Sequence, residues 1–222
     1  MIRLLFGFFL FSACDKGPKV VVSSAAVKGL LVQLHLVQGE NPQLPSLQFD
    51  PDLAVLRDAF DKQAAAAHVY IDPDESAKLR VMVLRDDVPS EPGTNAKTAG
   101  LCLTFSARSD NPLLGDSTVF WKEIHVERGF ASKYGMKSPQ MKLILFHELF
   151  HCRFNKTHLD PATTAKAEAI MFPSADFDDP ELMGHLDRYI TEMFDPALMA
   201  KIPDGPSTED ILKQPGWKTL KF

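Results

Sequence analysis

Residues 138–160 read SPQMKLILFHELFHCRFNKTHLD, and this stretch decides how the rest of the chain is interpreted. Ser138 followed by Pro139 is typical of a helix start, because serine caps the first turn and proline fits the first helical position. The following positions are apolar almost all the way round a helix, which predicts that it is buried. Three polar residues nevertheless interrupt the apolar surface, and burying them without partners is costly. The sequence therefore predicts a central helix with a functional site built into it.

The interrupting residues form the pattern HExxH. His147 and His151 are four positions apart, so both imidazoles lie on one helical face and can reach one metal ion. Glu148 projects beside them and can accept a proton from water at that metal. Asn155 tolerates the left-handed conformation that ends a helix, so the chain can turn there and bring His158 back to the metal. The spacing predicts one zinc ion held by three histidines, with Glu148 as the catalytic base.

This segment resembles the metzincin zinc peptidases, whose signature is HExxHxxGxxH followed by a methionine turn. Here the turn residue, Asn155, and the third histidine, His158, each fall one place later, so the linker is one residue longer. The HExxHC variant also resembles a group of bacterial metallopeptidase-like proteins, many of them lipoproteins. The resemblance covers residues 139–173 and implies a zincin-like fold and endopeptidase rather than exopeptidase activity. It also implies that Met171 lies beneath the zinc, with an ordinary core methionine as the alternative.

The third metal ligand has two alternatives to His158. Gluzincins take this ligand from a glutamate on a second helix, and Glu168 lies 17 residues after His151, a little short of their usual spacing. Asp160 is an oxygen donor within reach, or else a hydrogen-bond partner of a ligand imidazole. Imidazole suits zinc and Asn155 fits the required turn, which favours His158.

The N-terminus has the pattern of a secretory signal. Residues 1–13 contain one positive charge, an apolar run and small residues before Cys14. The letters FSAC resemble the lipobox of bacterial lipoproteins, which implies cleavage after residue 13 and lipid on Cys14; a buried N-terminal helix or strand is the alternative. We therefore expect a lipidated tether at residues 14–24 and one catalytic domain at residues 25–222. The implied location is the periplasmic or extracytoplasmic face of a bacterial cell envelope.

Composition supports an ordinary globular domain. Hydrophobic residues make up 45% and charged residues 24% of a chain of 222 residues, which suits one substantial domain and excludes wholesale disorder. The net charge of −5 argues against a nucleic-acid-binding surface. We expect a monomer. Besides Cys14, the chain contains Cys102 and Cys152, an even pair in an oxidising compartment. The sequence leaves open whether these two form a disulfide.

The remaining patterns give the fold class. Strands are predicted near residues 27–37, 79–84, 100–106 and 117–126, and further helices at 52–67 and 179–194. Because the strands cluster before the late helices, the order favours an α+β domain with a mixed sheet, the central HExxH helix and a C-terminal helix.

Two functions remain open at this stage. The first is a zinc metallopeptidase that hydrolyses peptide bonds of a peptide or protein substrate while lipid holds it at the membrane. The second is a non-catalytic zinc-binding envelope lipoprotein with a structural or binding role.

Overall fold

The computed structural model describes residues 19–23, 30–35, 44–88, 98–108, 118–159, 170–171 and 177–205. Several predictions from the sequence fall on residues outside these ranges. They are the signal segment 1–13, the lipidation site Cys14, and the alternative ligands Asp160 and Glu168.

The described strands form one mixed sheet of six strands in the order β1-β2-β5-β6-β4-β3. Their bounds are β1 Lys19–Ser23, β2 Leu30–His35, β3 Gln48–Phe49, β4 Leu79–Arg85, β5 Gly100–Arg108 and β6 Thr118–Glu127. The β1–β2 and β5–β6 pairs are antiparallel, whereas β2–β5, β4–β6 and β3–β4 are parallel. Four predicted strands are confirmed as β2, β4, β5 and β6. Strand β1 lies inside the segment predicted to be a tether, so the sheet begins before residue 25.

Seven helices surround this sheet among the described residues. Their bounds are α1 Pro51–Ala66, α2 Pro73–Lys78, α3 Arg128–Tyr134, α4 Pro139–Phe154, α5 Pro180–Gly184, α6 Leu186–Met193 and α7 Pro196–Met199. Five of them begin with proline after a residue whose side chain accepts hydrogen bonds from the first-turn amides. That pairing satisfies amides that have no partner inside the helix, and it is readable from sequence. None of these helices has the length and apolar character needed to cross a bilayer.

The prediction of one continuous helix at residues 179–194 is wrong. The chain leaves helical geometry at His185, where φ is −119° and ψ is 16°, and α6 starts afresh. Gly184 stands directly before the break, and glycine is a poor helix former because it loses the most backbone entropy. The new helix buries Leu186, Tyr189 and Ile190 together with Met193.

Helix α4 lies at the centre of the core, as its sequence predicts. Phe60 of α1 makes edge-on ring contacts with Phe146 and Phe150 of α4, at centroid distances of 5.1 and 5.3 Å. The two cysteines form a disulfide, Cys102–Cys152, which joins β5 to α4 with a Cα–Cα distance of 5.8 Å. The described structure is an α+β domain in which this helix is held against the sheet covalently as well as by packing.

Candidate metal centre

The end of α4 brings the third histidine back towards the first two. Asn155 adopts the left-handed conformation, with φ 51° and ψ 37°, as predicted. The segment after it is fixed by the C-terminal part of the described chain, because the Thr157 amide donates to the Pro203 carbonyl at 2.8 Å. The Leu159 amide donates to the Met171 carbonyl at 2.9 Å. These contacts place His158 opposite α4.

Three imidazole nitrogens meet at one point. The Nε2 atom of His147 lies 2.9 Å from that of His151 and 3.1 Å from that of His158, and the remaining pair is 3.2 Å apart. Ligand nitrogens around a tetrahedral ion with bonds of about 2.0–2.1 Å are themselves about 3.3 Å apart. The triangle is therefore close to the size that one ion requires. Among the described His, Cys, Asp and Glu side chains, these three form the group that lies close enough to hold a metal ion.

The other ring nitrogens fix which atom of each imidazole faces the centre. His147 Nδ1 lies 2.5 Å from the Ile170 carbonyl oxygen, and His151 Nδ1 lies 2.5 Å from the Lys156 carbonyl oxygen. A carbonyl only accepts, so Nδ1 must carry the hydrogen in both rings and Nε2 must present a lone pair. Two lone pairs 2.9 Å apart repel each other unless a cation lies between them. The donor set thus fits a metal ion better than it fits hydrogen bonds among the histidines.

Burial keeps these imidazoles neutral. Desolvation lowers the pKa of His147, opposed by its hydrogen bond to the Ile170 carbonyl. Desolvation, followed by the charges that His147 and His158 would carry, lowers the pKa of His151 well below its ordinary value. Only a neutral imidazole binds a metal, so the site is prepared for metal near neutral pH.

Glu148 lies beside the histidines and is only 4% exposed. Space for it comes from Gly100, the first residue of β5. A Cβ atom at position 100 would lie 3.1 Å from Cγ and 3.2 Å from Oε1 of Glu148, and 2.8 Å from Cγ2 of Ile144. Sequence analysis missed Gly100, although an isolated glycine in a strand is a known sign of close approach by another element.

A buried lysine holds the last turn of α4. Lys122 of β6 is 5% exposed and its Nζ donates to the Cys152 carbonyl at 2.8 Å. The same ammonium pairs with Glu75 of α2 at 2.7 Å. Burial lowers the pKa of Lys122, and the hydrogen bond that it donates to Glu75 opposes that change. Sequence analysis missed Lys122, because nothing local distinguishes it from a solvated strand lysine.

The remaining predicted residues are placed as follows. Met171 is fully buried. Its carbonyl accepts a hydrogen bond from the Leu159 amide, next to His158. The carbonyl of Ile170 accepts from Nδ1 of His147. His125 lies outside this cluster, and its Nε2 is 2.8 Å from Oε2 of Glu123.

Comparisons with known proteins assign no family to this chain. No family model matches this chain, and neither a curated protein nor a solved structure matches it.

Proposed function

We propose that this chain is a zinc-dependent metallopeptidase with a zincin-like fold. The observation that carries the proposal is the convergence of three Nε2 atoms, two of them fixed as acceptors by Nδ1–carbonyl hydrogen bonds, beside the buried carboxylate of Glu148. Three protein ligands with a fourth position left for water or substrate are typical of catalytic zinc sites.

This donor set is compatible with zinc. Imidazole nitrogens suit zinc, copper, iron and nickel, whereas calcium and magnesium prefer oxygen ligands. When bound by these histidines, zinc would supply a Lewis acid that acidifies water and polarises the substrate carbonyl. The two backbone carbonyls that accept from Nδ1 orient the rings and increase their basicity, which is the usual support for metal-binding histidines.

Glu148 supplies the proton transfers. Its carboxylate accepts a proton from the attacking water as the new carbon–oxygen bond forms, and it then gives that proton to the amide nitrogen as the carbon–nitrogen bond breaks. The atoms balance: one water adds across the peptide bond, and the carboxylate returns to its ionised form. Gly100 allows the side chain to lie close against β5 while doing so. Fully buried Met171, next to the carbonyl that orients His147, is proposed as the apolar floor of the site.

The N-terminal pattern completes the proposal. The signal at residues 1–13 and the lipid on Cys14 would hold the peptidase at the bacterial envelope, where an endopeptidase would act on peptides or exposed protein segments. The disulfide between β5 and α4 suits such an oxidising compartment.

The decisive experiment compares zinc content with peptide hydrolysis. We expect about one zinc per chain and turnover of a quenched fluorescent peptide library. Glu148→Gln should keep the zinc and lower kcat by about 10²–10⁴-fold, the range for a general base. His158→Ala should lose most of the zinc. Glu192→Gln, at a half-buried glutamate paired with Arg188, serves as the matched control and should change neither quantity.

Each result separates the two functions. Zinc without hydrolysis of any library member would favour the non-catalytic envelope lipoprotein. Full activity in Glu148→Gln would reject the mechanism, and a zinc-replete preparation that binds no metal would reject both functions.

A further inference from the structure

A cavity of about 580 Å³ lies beside the C-terminal end of α4. Arg153 reaches it from that helix, two positions after His151 and therefore about 200° further round the axis. One wall is apolar and is formed by Phe49, Ile71 and Leu79. The cavity thus lies on a different side of α4 from the metal centre.

Three arginines are among the residues that line this cavity. They are Arg57 of α1, whose guanidinium lies 4.7 Å from the centre of the Phe49 ring, Arg80 of β4 and Arg153 of α4. No aspartate or glutamate is among the described residues that form its walls. Three arginines that converge on one apolar-walled cavity repel one another unless anions compensate them.

Among the residues that the structure describes, two of these three arginines form an ion pair with a carboxylate. Asp58 pairs with Arg57 at 2.7 Å, and Asp61 pairs with Arg153 at 3.1 Å. The Nε atom of Arg80 donates to a backbone carbonyl at 3.0 Å, which carries no charge. Among the described residues, Arg80 is therefore the arginine of this cavity without an ion pair, which leaves a positive charge that an anionic group can compensate.

Arg153 is also short of hydrogen-bond acceptors. Its side chain is 9% exposed, and its Nε has no acceptor in the part of the chain that the structure describes. The Oδ1 atom of Asp61 likewise lacks a partner there, so the pair makes one hydrogen bond of the two that a carboxylate and a guanidinium can form. Burial raises the pKa of Asp61 even with Arg153 beside it, which indicates weak compensation. Buried polar groups without partners are rare and call for an explanation.

We propose that this cavity binds a small organic acid, with its carboxylate held by the guanidinium groups and its apolar body against the wall that contains Phe49. Arginine binds carboxylates well because its planar donors match the two oxygens. The proposal goes beyond the peptidase and uses none of the metal-site residues. The same chemistry is offered by a fatty acid and by the C-terminus of a peptide that ends in an apolar residue.

Calorimetric titration of the full chain tests this proposal. The probes are octanoate and N-acetyl-leucine, each with its neutral analogue, 1-octanol or N-acetyl-leucinamide. At least one acid should bind about tenfold or more tightly than its analogue, the size expected for a charge-assisted hydrogen bond. Arg80→Gln leaves no aspartate without its partner. This substitution should lower the affinity for the acid by a similar factor. Arg85→Gln, an exposed arginine on the same strand, is the matched control.

A second measurement does not depend on a variant. In the wild-type chain, the ¹⁵Nε resonance of Arg153 should shift on addition of the acid and stay unchanged with the neutral analogue. Binding of octanoate alone would identify a fatty acid as the ligand source, and binding of N-acetyl-leucine alone would identify a peptide terminus. Any of four results would overturn the proposal. They are equal affinity for an acid and its analogue, unchanged affinity for the acid in Arg80→Gln, binding of inorganic phosphate as tight as that of either acid, and no binding of either acid. Addition of EDTA should change none of these results, which separates them from the fate of the zinc proposal.

Discussion

Replacement of Gly100 by alanine tests whether the site depends on a single missing methyl group. Gly100 begins β5 where α4 crosses the sheet, and its Cα faces Ile144 and Glu148. An added Cβ would lie 2.8 Å from Cγ2 of Ile144 and 3.1 Å from Cγ of Glu148. Carbon atoms pack best at about 3.5–4.0 Å, so the neighbours must move by about 0.5–1 Å.

Two effects of different size follow from that movement. Overpacking of a core costs about 1–3 kcal/mol in the free energy of unfolding, because side chains leave their preferred rotamers. A displacement of a catalytic group by about 1 Å lowers turnover by about 10²-fold. The displaced group here is the proposed base, whereas the three histidines are not among the atoms that the new methyl meets. We therefore expect Gly100→Ala to lower kcat by about 10–100-fold while zinc content stays near one per chain.

Gly184→Ala is the matched control, because a Cβ at position 184 meets nothing within 4 Å. It should leave kcat unchanged and alter stability by less than about 1 kcal/mol. Zinc analysis, peptide hydrolysis and urea unfolding on both variants provide the three readouts. If Gly100→Ala is as stable and as active as the wild type, the close approach described above does not constrain the site. The unfolding readout keeps the test meaningful even if the chain has no peptidase activity.

Three further predictions concern the supports of the site. Lys122→Met should lower the free energy of unfolding by about 1–3 kcal/mol in urea titrations, because the Cys152 carbonyl loses its buried donor; wild-type stability would mean that the lysine is incidental. Cys102→Ser should lower the free energy of unfolding by about 4 kcal/mol, because the disulfide spans 50 residues and restricts the unfolded chain. An unchanged melting temperature would contradict this prediction. The apo protein should become less stable as the pH falls below the ordinary imidazole value of 6.5. The pKa values of His147 and His151 are lowered on folding, so the unfolded chain binds more protons there. Urea unfolding in EDTA at pH 7.5 and pH 5.5 measures this effect, and equal stabilities would contradict it.

The site itself was largely predictable because its signals are local. The HExxH pattern, the serine–proline helix start and the left-handed turn at Asn155 each depend on a few consecutive residues. The structure confirms the helix, its ends and the return of His158 to the first two histidines. Four strands were predictable for the same reason, since alternation and β-branched content are read within a short window.

The errors arose where distant packing decides the outcome. The helix predicted at 179–194 is split at His185, directly after Gly184, although the pattern of apolar residues runs through. Strand β3 has only two residues, too few for any periodic signal, and it exists because its neighbour β4 supplies parallel hydrogen bonds. The segment that forms strand β1 was predicted to be a tether for a related reason. It is a strand because it pairs with β2, and that pairing is not visible in its own residues.

The sequence by itself determined the residue types of the candidate metal site, their helical spacing, the helix ends and the α+β class. Only the tertiary structure decided which Nε2 atoms meet, which carbonyls fix their tautomers, that Gly100 leaves room for Glu148, and that three arginines share a cavity. Helix caps and apolar periodicities are set by interactions within about one helical turn or a few strand residues, so they can be read from the sequence. Contacts between elements depend on how the whole chain closes, and the free energy that selects them is shared among residues far apart in sequence.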